Sequence, residues 1–330
     1  MNNLRVGIVG MGAMGRNHAR VIESLDGVEL VGISDPLCSK PSHPIANVPW
    51  YQSLSQLLKL NLDYCVISAP TVEHFNIAVQ LAESGVHALI EKPVTFKSEE
   101  AYKLEHVFSS KGLVASVGHV ERYNPAVQEA RSRIINGELG RIYQIETRRL
   151  SPFPNRIKDV GVAYDLATHD IDIAMWLTGQ KYCSVFAKTA GHLGNGVEDL
   201  VTVMASLTDS TIVTHSVSWL SPYKERKIVI LGEQGIFTVD TLTVDLTYFS
   251  NGSMPIRMNE LAYLRGASEG STIRYAIPKV EPLVLQHEAF RDSVIGKPAE
   301  IVTLGEAAEV IRVVETIFAS AHRGTAISLN

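Results

Sequence analysis

The sequence predicts an α/β chain: a doubly wound parallel sheet over residues 1–120 and a second α/β domain over 121–330. Three observations carry this reading. Short β-branched runs alternate with amphipathic stretches through the first 120 residues, as in strand–helix–strand units. The first of these runs enters a glycine-rich turn, Gly10-Met11-Gly12-Ala13-Met14-Gly15. The whole chain, 330 residues, is about twice the length of a typical domain.

In order, residues 4–9 form an apolar run suited to a central strand. The stretch after the glycine turn is helical, with Ala19, Val21, Ile22 and Leu25 as its apolar positions. A second strand, 28–33, ends at Ser34-Asp35. Pro36, Pro41, Pro44 and Pro49 follow, so the next crossover helix is expected to be short or missing. Helices are predicted over 53–60, 72–84 and 98–109, with Ser98 as an N-cap ahead of Glu99 and Glu100. Strands are predicted over 62–68, 86–90 and 113–117. Beyond 120, strands read at 141–150, 184–189, 200–207, 211–219, 227–231 and 235–240, and helices at 124–135, 164–177, 283–294 and 305–321.

With 45% hydrophobic residues and a net charge of -5, the chain reads as globular rather than disordered. It has no basic run of the kind that binds nucleic acid. Cys38, Cys65 and Cys183 are scattered and build no metal-ligand pattern, so no metal is expected and a reducing, cytoplasmic setting fits. The opening residues read as a strand rather than a secretory signal. No apolar run reaches the roughly 18 residues of a membrane span.

The glycine turn has the context of a dinucleotide site. Gly10 permits the tight turn, Gly12 lets a diphosphate approach the backbone, and Gly15 lets helix and strand pack closely. Ala13 and Met14 sit at the start of the helix, where N–H groups and the positive end of the dipole favour phosphate. Asp35, 20 residues after Gly15, is placed to accept hydrogen bonds from ribose hydroxyls. Pro36 rather than a cation follows it, which favours NAD over NADP. Ligands on such sheets bind beyond the C-terminal strand ends, which bear Pro70, Thr71 and His74, then Glu91 and Lys92, then His119.

The stretches GIVGMGAMGRNHAR (7–20), APTVEHF (69–75), EKPV (91–94) and YDLATHDID (164–172) resemble the Gfo/Idh/MocA oxidoreductases. That resemblance implies a nucleotide-binding Rossmann domain followed by a domain with a large open, mostly antiparallel sheet. It implies a catalytic lysine at Lys92, before a cis proline at Pro93, and places Asp165 and His169 at the substrate. Within the family, GHVERYNPAV (118–127) and RRLSPFPNRIKDVGVAYDLATHDID (148–172) are similar to the UDP-N-acetylglucosamine 3-dehydrogenases. An inositol 2-dehydrogenase or another polyol dehydrogenase is the alternative enzyme. A non-catalytic NAD-binding regulator is the alternative outside catalysis.

Oxidising an alcohol requires a proton acceptor and a group that stabilises the developing alkoxide. Lys92 suits the second task. His169 suits the first, because an imidazole titrates near neutrality. Asp165 lies four residues before His169, hence on one helix face, to orient Lys92 or bind a sugar hydroxyl. Which of Lys92 and His169 is the formal base is left open by the sequence. Arg122 is a candidate to grip a diphosphate, with Tyr123 and Asn124 beside it and Arg156 and Lys158 on a proline-framed loop. His119 is a further substrate candidate. Asp170 and Asp172 receive no catalytic role, His18 reads as structural, and Trp176 and Trp219 read as core. A large sheet with one open face points to a homodimer or homotetramer.

Overall fold

The computed structural model describes residues 3–36, 48–154, 160–194, 196–252 and 269–329. The chain divides into two compact units, Met1–Val120 with Glu281–Glu315, and Glu121–Val280 with Thr316–Asn330.

The first unit is built on a sheet of β1 (Leu4–Val9), β2 (Val28–Ser34), β3 (Trp50–Tyr51), β4 (Tyr64–Ile67), β5 (His87–Ile90) and β6 (Ala115–Val117), in the order β3-β2-β1-β4-β5-β6. Every pairing is parallel. Helices α1 (Ala13–Ser24), α2 (Leu54–Leu57), α3 (Thr71–Glu83) and α4 (Ser98–Ser110) connect them. Covered strands of this type need apolar residues on both faces, and β4 (YCVI) is buried throughout. The proposed gap in the crossover after Asp35 falls mostly on residues 37–47, outside the described residues. Ser98 is the first helical residue of α4 rather than its cap. Its N–H and hydroxyl both donate to Glu315, at 3.0 and 2.7 Å, so a carboxylate caps this helix from outside.

Residues 281–315 depart from a simple division at 120. They bring α7 (Pro282–Val294) and most of α8 (Leu304–Arg323) to the first unit. The reason is apolar: Phe290 is fully buried in the cluster of Val6, Ile8, Ile22 and Val66, with its ring 5.2 Å edge-on from Tyr64.

The second unit carries α5 (Pro125–Ile135), α6 (Thr168–Thr178) and a nine-stranded sheet. Its strands are β7 (Ile142–Pro152), β8 (Tyr182–Ala190), β9 (Leu200–Leu207), β10 (Ile212–Ser218), β11 (Leu220–Gly232), β12 (Gly235–Asp240), β13 (Asp245–Asn251), β14 (Glu269–Arg274) and β15 (Ile327–Ser328). The order is β14-β13-β12-β11-β7-β10-β9-β8-β15, and among the described residues only β10 with β7 is parallel. Burial alternates along β9, with Val201, Val203, Ala205 and Leu207 inward and Thr202 and Met204 outward. One face of this sheet is therefore covered and the other open, as a period of two residues dictates. A π-helical turn, Ala163–Ala167, leads into α6, which is buried at nearly every position. Among the described residues, no helix is long and apolar enough to cross a membrane.

Candidate active site

In the first unit the glycine turn links β1 to α1. Gly10 has φ +90, and a Cβ there would strike the backbone of Ser68 and Ala69. A Cβ at Gly15 would strike the carbonyl oxygen of Gly10. Both positions are therefore closed by the protein's own packing. Gly12 differs: a Cβ there would meet no protein atom within 4 Å. Gly12 is also the N-cap of α1, which has no side-chain cap and no acid in its first turn. Gly12 and Ala13 are exposed. A bare, uncompensated helix N-terminus behind an exposed glycine suits a phosphate group. These residues fit the diphosphate of a dinucleotide.

Asp35 closes the turn from the next strand, its Oδ2 accepting the Met11 N–H at 2.7 Å. Ser68 Oγ donates to the Gly10 carbonyl at 2.8 Å. The strand ends β4 and β5 are tied to each other by His74 rather than left to a ligand. This buried ring sits 2.8 Å through Nε2 from the Ala69 carbonyl and 3.0 Å through Nδ1 from the Pro93 carbonyl. Burial pushes its pKa down against those carbonyls. His74 is thus a pin between two loops. Pro70 is exposed just before α3, and Thr71 is buried as its first residue.

Glu91 is likewise turned inward. Its Oε1 lies 2.8 Å from His18 Nε2, and its Oε2 accepts the Lys92 N–H at 3.2 Å. Both of its carboxylate oxygens are hydrogen-bonded within the protein. Lys92 is half-buried, and its bond to Pro93 is cis. His119 is buried at the end of β6.

In the second unit Asp165 lies inside the π-helical turn and His169 in the first turn of α6, both buried. A π turn widens the backbone ring and is often found where side chains must be re-aimed. Glu198 Oε1 accepts the Ala163 N–H at 2.9 Å and so anchors the start of that turn. Burial raises the Glu198 pKa.

Arg122 requires correction. Its Nε and Nη2 donate to Asp172 at 2.8 and 2.6 Å, with 4% and 1% of the two side chains exposed. The guanidinium also lies 5.8 Å from the Trp176 ring. This forked, buried carboxylate pair commits Nε and Nη2 of the guanidinium to Asp172. Asn124 is corrected too: Oδ1 caps α5 by accepting the Ala126 N–H at 3.0 Å, and Nδ2 donates to the Thr241 carbonyl at 3.0 Å. Tyr123 is buried between them in sequence. Asp170, given no role above, pairs with Arg149 at 2.9 Å, and Arg149 also reaches Glu121 at 2.9 Å. Burial raises the Asp170 pKa, and Arg149 opposes it. Arg156 and Lys158 lie outside the described residues.

The sequence alone does not single out His287 or Glu198. A partial signal exists for His287: its partner His18 sits among Ala19, Val21 and Ile22 on the buried face of α1, where a polar group needs a partner.

Residues 4–119 match the family model described as an oxidoreductase family, NAD-binding Rossmann fold, and residues 127–238 match the GFO/IDH/MocA C-terminal domain. A UDP-N-acetylglucosamine 3-dehydrogenase of Acidithiobacillus ferrooxidans is 30% identical over 255 residues, 77% of this chain and 79% of the relative. The scyllo-inositol 2-dehydrogenase (NAD(+)) of Bacillus subtilis is 30% identical over 200 residues, 58% of this chain and 57% of the relative. A solved structure of the Acidithiobacillus ferrooxidans UDP-N-acetylglucosamine 3-dehydrogenase has a TM-score of 0.85 at 25% identity, covering 98% of this chain and 99% of that one. A dinucleotide cradle in the first unit, a nine-stranded sheet in the second and matches to both domain models establish that the chain belongs to the Gfo/Idh/MocA oxidoreductase family.

Proposed function

We propose that this oxidoreductase uses NAD to oxidise the C3 hydroxyl of UDP-N-acetylglucosamine to a ketone. The observation that carries the sugar assignment is the likeness to the Acidithiobacillus ferrooxidans enzyme across 77% of the chain. The GHVERYNPAV and PFPNRIKDVG stretches add to it.

Bound NAD supplies the hydride acceptor. Gly12, Ala13 and Met14 hold its diphosphate at the head of α1. Asp35 keeps a carboxylate near the ribose and repels a 2′-phosphate, so NAD is preferred to NADP. Lys92 stabilises alkoxide character as the carbinol hydrogen departs. His169 takes the hydroxyl proton, and Asp165 orients the sugar. Arg156 and Lys158 remain the cations assigned to the diphosphate of the substrate.

A polyol substrate is the second reading. One observation favours it: Arg122 and Asn124 are spent on Asp172 and on the backbone, so fewer groups are left for an anionic nucleotide. A panel of UDP-sugars and free polyols with NAD, followed by nicotinamide absorbance, separates the two. Turnover of UDP-N-acetylglucosamine well above that of inositols supports the nucleotide sugar, and the reverse order removes it.

The chain is further proposed to assemble with copies of itself through the open sheet face. Phe186 and Met204 are exposed and directly paired across β8 and β9, with Ile212 also exposed on β10. Apolar residues grouped this way mark an association surface. A monomeric mass in sedimentation equilibrium at micromolar concentration contradicts this.

A further inference from the structure

Three buried side chains from distant parts of the sequence form a hydrogen-bonded chain inside the first unit. His287 of α7 places Nε2 2.8 Å from Nδ1 of His18 on α1. His18 Nε2 lies 2.8 Å from Glu91 Oε1, and Glu91 Oε2 accepts the Lys92 N–H at 3.2 Å. Both imidazoles are wholly buried. Burial, and then the neighbouring His18, hold the His287 pKa well below its usual value, so His287 is neutral. Burial raises Glu91, but the hydrogen bond and charge of His18, then Lys92, outweigh it and keep the carboxyl ionised.

The proton inventory fixes one end of the chain. An ionised Glu91 only accepts, so His18 carries a hydrogen on Nε2. Between the rings a single hydrogen joins His18 Nδ1 to His287 Nε2, and whichever nitrogen carries it, His287 holds His18 from behind. His287 Nδ1 has no partner among the described residues. Apolar side chains would fill the same space without an orphaned polar atom. What they would lack is a directional hold on the carboxylate beside Lys92.

We propose that His287 and His18 are positioning residues, which act through Glu91 to fix the backbone at Lys92 and hence the course of its side chain. The proposal rests on the reading of Lys92 as the reacting lysine. It also gives the segment returning from residue 281 a functional reason to pack on the first unit.

The test compares His287→Leu, which removes the partner of His18, with His287→Gln, whose side-chain amide keeps a hydrogen-bonding group at the position of Nε2. In the protein without ligands, His287→Leu is expected to speed hydrogen exchange of the peptide containing Lys92 by about tenfold while β1 amides are unchanged. A general loss of stability would raise both. With whichever panel sugar the wild type oxidises, kcat is expected to fall about 10- to 100-fold while NADH affinity by fluorescence titration is retained. His287→Gln restores most of both losses. Combined with Lys92→Ala, His287→Leu adds little, because both changes act on one group.

Glu91→Gln carries the same comparison if His287→Leu does not fold, since an amide cannot accept from both His18 and Lys92. A folded His287→Leu or Glu91→Gln with wild-type exchange at Lys92 overturns the proposal. So does wild-type kcat in that variant when Lys92→Ala is inactive. If Lys92→Ala itself turns over normally, the catalytic reading of Lys92 falls, and the exchange arm still decides whether the chain holds this segment.

Discussion

The two units treat polar groups in opposite ways. The first leaves the N-terminus of α1 uncapped behind Gly12, with no acid in the first turn. The second turns its charges on one another: Arg122 to Asp172, and Arg149 to both Asp170 and Glu121. An uncompensated helix end is available to an external anion. A guanidinium forked onto a buried carboxylate is not, because releasing it would strand the partner in the interior. Binding capacity therefore follows what the fold leaves unsatisfied, not how many cations the sequence contains.

The largest effect that sharpens this contrast belongs to the reacting groups. Lys92→Ala is expected to lower kcat by about 10²–10⁴. Its affinity for NADH should match wild type, since Gly12 and Asp35 are untouched. Steady-state turnover and equilibrium titration of the same preparation check both halves, and near-normal turnover refutes the assignment.

Substitutions in the two units should then give opposite signatures. Arg122→Ala strands Asp172 and is expected to cost about 3–5 kcal/mol in urea unfolding. A Cβ at Gly12 meets no protein atom, so Gly12→Val should cost only about 1–2 kcal/mol, for the loss of glycine as the N-cap of α1. It should nevertheless abolish tight NADH binding, because the branched side chain occupies the space assigned to the diphosphate. An Arg122→Ala protein of normal stability with a raised KM for UDP-sugars would restore Arg122 to the substrate.

A smaller effect tests the sealed interior of the second unit. His215 bridges Thr147 at 2.7 Å and Tyr182 at 2.6 Å. Burial, then Arg149, lowers its pKa to about 3. The unfolded chain takes up this proton near the ordinary histidine value, whereas the folded chain refuses it. Stability contributed here is thus present above pH ~6.5 and declines as pH falls from there toward 3, by up to about 1.4 kcal/mol per pH unit. His215→Asn should flatten the pH dependence of unfolding between pH 6.5 and 4. Parallel slopes for variant and wild type would show that His215 is not buried in its neutral form.

Several of these features were open to reading from the sequence. Strands 200–207 and 235–240 are found at the predicted residues, because their alternation and bounding turns are local signals. Gly10, Gly12 and Gly15 belong to the same class, since a backbone constraint is written in the residue itself. Strands β13 and β15 lack that signal: β13 sets Tyr248 beside Phe249 and so breaks the alternation, and β15 has two residues and exists only by pairing with β8. Strand β11 begins at Leu220 instead of 227, through an irregular register that local pattern cannot report. The partners of Arg122, Asn124, His74 and Glu91 lie up to 117 residues away, so their use inside the fold is a tertiary fact. The π turn under Asp165 has no sequence signature either, since 164–177 reads as one ordinary helix.

The proposed hydride transfer from C3 of a UDP-sugar to NAD is open to an isotope test. UDP-N-acetylglucosamine carrying deuterium at C3 is incubated with the wild-type protein and NAD, and the nicotinamide product is examined by mass spectrometry. Reduced nicotinamide one mass unit heavier than that from unlabelled sugar is the predicted result. Reduced nicotinamide without label would place the oxidation at another carbon, and no reduced nicotinamide at all, from a protein that still binds NADH, would contradict the nucleotide-sugar dehydrogenase.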